Sequence, residues 1–144
     1  MSVHTILPRP TLQSAAALLE SAALPVSDLT EAHLEHFFFS GPESAPAGLV
    51  GLELCGSDAL LRSLVVAPAN RSAGVGSALV ERAEIHARAL GARSVFLLTT
   101  TAERFFSRHG YLRIARESAP ASIRNTREFG DLCPASSVFM FKKL

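Results

Sequence analysis

The stretch "LLRSLVVAPANRSAGVGSALVERA", residues 60–83, decides how the chain is read. Leu60 to Val66 is an apolar run of strand length, interrupted by Arg62 and Ser63 and followed by Pro68. A loop with two glycines two apart, Gly74 and Gly76, comes next, and from Gly74 to Leu90 apolar residues recur at helical spacing. A strand that turns into a helix through glycines is suited to holding an anion. Without a Cβ the backbone can approach a ligand closely, and the first amides of the helix converge on it with the helix dipole behind them.

The neighbouring residues discriminate between anions. A P-loop needs Lys and then Ser or Thr after its last glycine, but Gly76 is followed by Ser77-Ala78 and no lysine precedes Lys142. A dinucleotide fingerprint needs a third small residue where Leu79 stands, and an acid at the end of the next strand, which instead closes on Leu98-Thr99-Thr100-Thr101. What remains is Arg71-Ser72-Ala73-Gly74-Val75-Gly76, R-x-x-G-x-G directly after V-V-x-P, with Arg71 adding a forked cation. That arrangement suits a pyrophosphate.

Outward from this unit, "GLVGLELCG" (48–56) and "ALLRSLVVA" (59–67) read as a β-hairpin turning at Gly56-Ser57-Asp58. "VHTIL" (3–7) and "EHFFFS" read as strands, and a helix capped by Thr11 runs toward Pro25. The second helix buries Val75, Leu79, Ala83 and Leu90 with His86 in the same stripe, points Glu81, Glu84 and Arg88 outward, and ends before Gly91. "RSVFLLT" is a buried strand, "AERFFSRHG" a short helix, and "YLRIAR" and "SSVFMFKKL" are further strands. The order describes one α/β domain spanning 1–144 with a mostly antiparallel sheet, in which the strand-helix-strand unit at 60–98 supplies one parallel pair.

Composition narrows the function. Of 144 residues 48% are hydrophobic, enough for a core. The net charge is +1 and the basic residues are scattered, which speaks against a nucleic-acid surface. Cys55 and Cys133 have no CxxC spacing, and His4, His33 and His36 have no ligand spacing, so no metal is expected. The thiols read as reduced, in a cytoplasmic protein. "SAAALLESAAL" lacks a basic leader and contains Glu20, so no signal peptide is read, and no segment approaches the roughly 20 apolar residues of a membrane span.

At this point the sequence resembles a family. "LRSLVVAPANRSAGVGSALVERAEIHARALGARSVFLLTT" is similar to the acetyl-CoA-binding motif of the GNAT N-acetyltransferases, and "TTTAERFFSRHGY" to the strand and short helix that follow it there. Within the family, "LLTTTAERFFSRHGY" resembles enzymes that acetylate the α-amine of glutamate. "PASI…REF…LCPASSVFM" resembles small members found with arsenic-resistance genes. The resemblance implies the GNAT fold: a mixed, mostly antiparallel central sheet splayed at the cofactor strand, with helices on both faces. It implies that Leu64, Val65 and Val66 bind the pantetheine arm of acetyl-CoA through their main chain and that Arg71, Ser72, Ala73, Gly74, Val75, Gly76 and Ser77 hold the pyrophosphate. Ala102, Phe105 and Phe106 would flank the coenzyme on the other side of the splay.

Acetyl transfer to an amine needs a neutral nucleophile, a donor to the developing oxyanion and a proton for the thiolate. Glu53, on the strand before the cofactor strand and facing away from Leu52 and Leu54, is the candidate base. For the acid there is a departure: the family's usual tyrosine position is Phe106, and Tyr111 stands where a packed phenylalanine is usual. Tyr111 is carried as the candidate acid, with Ser107 and His109 behind it. Arg62 and Ser63, Thr99, Thr100 and Thr101, and Arg124 and Arg127 are the candidates for binding the acceptor, Arg62 as a fork onto a substrate carboxylate. Cys133 is a candidate thiol for trivalent arsenic. The reading is an acetyl-CoA-dependent N-acetyltransferase of a small amine, an amino acid or a glutamate-like toxic analogue. The alternatives are a non-catalytic acyl-CoA-binding or sensing module and a protein or peptide N-acetyltransferase. A homodimer is common for this fold, and "HFFFS" offers an apolar strand for one.

Overall fold

Seven strands form one mixed sheet in the computed structural model, which describes residues 4–71, 73–132 and 136–144. In chain order the elements are β1 (Ile6–Pro8), α1 (Leu12–Ser21), β2 (Phe37–Ser40), β3 (Gly48–Cys55), β4 (Asp58–Val66), α2 (Val75–Ala89), β5 (Ser94–Thr99), α3 (Glu103–Arg108), β6 (Leu112–Arg113), α4 (Ala121–Arg124) and β7 (Val138–Lys143). Short 3-10 turns cover His33–His36, Pro68–Asn70 and Arg116–Ser118, and a π-helical turn covers Glu128–Leu132. The sheet order is β1-β2-β3-β4-β5-β7-β6, antiparallel throughout except for the β4–β5 pair. This is the mostly antiparallel α/β sheet expected from the sequence, with its one parallel pair at the expected crossover.

Local chemistry places the elements. The Thr11 hydroxyl accepts the Ser14 amide and starts α1, which ends at Ser21, before Pro25. The β3–β4 hairpin turns through Gly56 at φ +69°, with Cys55 opposite Asp58. Gly91, at φ +95°, follows the α2 terminus in the left-handed conformation that a C′ glycine supplies.

The two faces of the sheet are covered differently. On one, α2 lays Val75, Leu79, Val80, Ala83 and Ala87 over Val50, Leu52, Leu61, Val95 and Leu97. On the other, α1 covers Phe37, Phe39, Leu49 and Val65 with Ala15 and Leu19, and α4 covers Leu60, Phe96 and Phe139 with Ile123. The α2 stripe therefore differs from the sequence reading. Leu90 is half exposed, while Glu84 faces inward, accepting a hydrogen bond from the Tyr111 hydroxyl and another from Lys142 Nζ, each at 2.9 Å. The buried stripe advances by three and four residues and reaches Glu84 before it could reach Leu90. "YLRIAR" contributes only Leu112–Arg113 to the sheet. "HFFFS" is not free for a partner: β2 is paired on both sides, and Phe37, Phe38 and Phe39 are all buried. Among the described residues no helix is long and apolar enough to cross a membrane.

Candidate active site

Two irregularities of β4 build the site. Pairing with β5 runs only from Asp58–Ser94 to Leu60–Phe96 and then stops, so the strands diverge beyond Leu60. Against β3, Leu49 opposes Val65 but Gly51 opposes Arg62, so β4 carries one residue more than β3 in this interval. The extra residue is accommodated at Ser63, whose φ is +62°. The bulge inverts the side-chain parity of the strand. Before it, Leu60 and Arg62 share the face covered by α1 and α4; after it, Val65 does.

The divergence opens a cleft of about 1010 Å³. Its walls come from both faces of the sheet. Leu64, Val66, Gly76, Leu97, Phe105 and Phe106 belong to the α2 side, and Arg62, Val65, Leu98, Glu128 and the segment Ala22–Ser27 to the other. At the α2 side the helix begins after Gly74, which sits at φ +86°, a conformation that favours glycine. The first amides of α2 have no partner within the helix. Gly76 packs beside Phe105, where an added Cβ would lie 3.4 Å from the ring. Arg71 lines the cleft and is pinned by Nε donating to the Val66 carbonyl at 3.2 Å.

At the other side stands a buried ionic cluster. Arg62 donates through Nη1 and Nη2 to the two oxygens of Asp28 (2.5 and 2.9 Å), through Nη1 to Glu53 (2.9 Å), and through Nε to the Ser63 hydroxyl (3.0 Å). Glu128 Oε1 lies 3.5 Å from Nε. Three carboxylates thus surround one guanidinium. Burial works against the Arg62 charge, but these acids outweigh it and raise its pKa. Burial likewise acts to raise Asp28, and the bidentate Arg62 overrides it, so its carboxyl sits below the ordinary range. Glu128 is pushed up to about 7, first by burial and then by the like charges of Glu53 and Asp28, against the pull of Arg62. Asp28, His33 and Glu53 each place a ligand atom within 4.8 Å of the others, a grouping not visible in the sequence. The Arg62 guanidinium already engages Asp28 and Glu53, which disfavours a metal ion at that grouping.

The structure brings most of the sequence candidates together. Arg62, Ser63, Leu64, Val65, Val66, Arg71, Gly76, Thr99, Thr100, Thr101, Ala102, Phe105 and Phe106 all line the cleft. Ala73, Gly74, Val75 and Ser77 lie in the adjoining loop and first helical turn. The Ala73 carbonyl accepts from His4 Nε2 (2.7 Å), the Val75 side chain is buried, and the Ser77 hydroxyl meets His109 Nε2 (3.0 Å). Ser72 and Cys133 lie outside the described residues.

Five candidates are placed elsewhere or differently. Arg62 is no free fork, because its guanidinium is taken up by the protein's own carboxylates. Glu53 points into that cluster and not into the cleft. Tyr111 is 1% exposed, away from the cleft, its phenol raised in pKa by burial and then by Glu84. Arg127 is exposed and outside the lining, as is Arg124. Sequence reasoning missed Asp28, Glu128 and Ser137 as site residues. Ser137 lines the cleft, and its buried hydroxyl has no hydrogen-bond partner among the described residues.

With this geometry in place, comparison with known proteins is informative. Residues 34–113, more than half of the chain, match the family model described as "Acetyltransferase (GNAT) domain". An amino-acid acetyltransferase of Azotobacter vinelandii is 40% identical over 62 residues, 43% of this chain and 14% of the relative. The chain thus spans only a small part of that relative's length. Among solved structures, the N-acetylglutamate synthase of Neisseria gonorrhoeae, complexed with coenzyme A and N-acetyl-glutamate, superposes on all of this chain and 36% of its own, with a TM-score of 0.82 and 19% identity. A Mycobacterium tuberculosis protein in complex with CoA superposes on 97% of this chain and 99% of its own, with a TM-score of 0.78 and 23% identity. At these identities the two structures establish the fold.

Proposed function

The chain belongs to the GNAT acetyltransferase family, and from that premise we propose that it transfers the acetyl group of acetyl-CoA to the amine of a small molecule, an amino acid or a glutamate-like toxic analogue, arsenic-containing ones included. One observation carries the reading. The cleft opened by the β4–β5 divergence runs from the start of α2 and Arg71, through the sheet, to a buried cluster with more carboxylates than cations. An anionic cosubstrate and an ammonium-bearing acceptor call for opposite fields, and the two sides of this cleft supply them.

The residues fit the cosubstrate. The α2 amides and Arg71 would hold the pyrophosphate. The main chain of Leu64, Val65 and Val66, released from β5, would receive the amides of the pantetheine arm as a neighbouring strand would. Phe105 and Ala102 would close the opposite wall. Acetyl-CoA supplies a thioester carbonyl open to a nucleophile and a thiol as leaving group. A backbone N–H at Val65 or Val66 is the donor available to the carbonyl oxygen. An amino-acid acceptor is supported by the amino-acid acetyltransferase relative, and a glutamate-like one by the sequence resemblance.

A second reading, a non-catalytic acyl-CoA-binding module, is favoured by one observation: Phe106 lines the cleft where a proton-donating tyrosine is usual, and Tyr111 is buried in the core. An acetyl-CoA thiol-release assay separates the two. The panel is glutamate, other amino acids, phosphinothricin-type and arsenic-containing analogues, and polyamines, with calorimetric coenzyme A binding alongside. Release with an amino acid that collapses in Arg71→Ala, together with weakened coenzyme A binding, supports the enzyme. Tight binding without release for any amine supports the module.

A further inference from the structure

Among the described residues lining the cleft, Glu128 is the carboxylate, and no histidine, cysteine, lysine or tyrosine accompanies it. Arg62 and Arg71, the other ionisable groups there, are permanent cations. We propose that Glu128, and not Glu53, is the base that accepts the proton of the acceptor's ammonium, and that the Ser137 hydroxyl is a contact for the acceptor beside it. This rests on the acetyltransferase reading and names its proton acceptor.

The geometry carries the assignment. Glu128 is 3% exposed yet forms part of the cleft wall, so the acceptor end of the cleft is its outlet. Its carboxylate is held, not neutralised. Arg62 Nε touches Oε1 at 3.5 Å, while the shorter contacts of that guanidinium go to Asp28 and Glu53. Three acids around one arginine leave a surplus of negative charge that an incoming ammonium would relieve. The groups facing Glu128 are Arg62 on β4, Glu53 on β3 and Asp28 in the segment between α1 and β2. Burial first, and then the two acids, raise its proton affinity against the pull of Arg62, into the range where a general base works at neutral pH. Ser137 adds an independent pointer: a hydroxyl 93% buried in the same cleft with no partner among the described residues is a group awaiting a ligand.

The protons balance. The Glu128 carboxylate takes one proton from the ammonium. The freed lone pair forms the C–N bond to the acetyl carbon as the C–S bond breaks. The second amine proton reaches the departing sulfur, and Glu128 releases its proton to water. One amide, one thiol and one proton result.

The test is the pH profile of kcat/KM for the wild type, Glu128→Gln, Glu53→Gln and Ser137→Ala, with carboxyl-carbon NMR titration of the unliganded protein. Expected are an acid limb near pH 7 in the wild type and a 10²- to 10⁴-fold lower rate without that limb in Glu128→Gln. Coenzyme A binding should be retained in that variant. In Glu53→Gln the limb should move to lower pH, because a like charge is gone, and in Ser137→Ala KM should rise more than kcat falls. One carboxyl resonance should titrate near pH 7 and be missing from Glu128→Gln. A Glu128→Gln enzyme within threefold of wild type, or one that keeps the limb, overturns the assignment while leaving the acetyltransferase reading intact. Wild-type inactivity toward every amine overturns both.

Discussion

Arg62 grips Asp28 through two parallel N–H···O bonds, joining the sheet to the segment that follows α1. Both groups are buried, so either one left without the other would be poorly hydrated. Removing one partner of a buried pair costs about 3–5 kcal/mol, because the remaining charge is stranded. Arg62→Met strands three acids and should lower stability by about that amount in urea unfolding at pH 8. The loss should shrink toward pH 5, where Glu128 takes up a proton. A deficit independent of pH would mean that lost packing, not stranded charge, is responsible.

The acids of this cluster impose pH dependences of opposite sign. Asp28 has a folded pKa below its ordinary 3.8, so its contribution is present above that value and disappears as pH falls through the folded pKa. Glu128 rises from an ordinary 4.5 to about 7. Between those values the folded state binds more protons than the unfolded one, so stability declines as pH rises and the penalty is complete above about 7. Glu128→Gln should therefore melt a few degrees higher than wild type at pH 8 and equal to it near pH 4.5, as scanning calorimetry at both values would show. An equal offset at both pH values would contradict the raised proton affinity.

Gly51 lies opposite Phe37 in the β2–β3 register and opposite Arg62 in the β3–β4 register. A Cβ there would fall 2.3 Å from Phe37 Cζ, inside the ring that covers the glycine. Gly51→Ala should destabilise by about 1–3 kcal/mol through overpacking. Gly51→Ala with Phe37→Leu should recover part of that loss relative to Phe37→Leu alone. Simple additivity in a double-mutant cycle would show that the ring does not set the cost.

What could be read from the sequence, and what could not, follows the range of the interactions. The β3–β4 hairpin and α2 announce themselves through local chemistry, alternation closing on Gly56 and helical spacing closing on Gly91. The coenzyme side of the cleft is equally local, since Val66, Arg71 and Gly76 are near neighbours in the chain. The acceptor side is assembled from afar. Asp28, Glu53, Arg62 and Glu128 come from four separate segments, and the π-helical turn holding Glu128 has no periodicity to advertise an inward face. The bulge at Ser63 is hidden because its positive φ is carried by a residue other than glycine. Arg62 was legible as an anomaly in an apolar strand; that its partner is the protein's own Asp28 was not.

Tyr111 provides the sharpest contrast between a position in a motif and a position in space. Its ring packs edge-on against Phe106, and its hydroxyl donates to Glu84 Oε2 while Lys142 holds Oε1. Burial, and then the Glu84 charge, push the phenol above its ordinary range, so it holds its proton where a general acid would need to release it. Tyr111→Phe removes one hydrogen bond and leaves a carboxylate oxygen short of a donor, which should cost about 1–3 kcal/mol and lower the melting temperature by several degrees. The turnover number should fall less than threefold, with the pH profile unmoved. Steady-state kinetics beside a thermal melt decide the matter. A hundredfold loss of kcat at an unchanged melting temperature would return Tyr111 to the reaction and require the core around Glu84 to open during turnover.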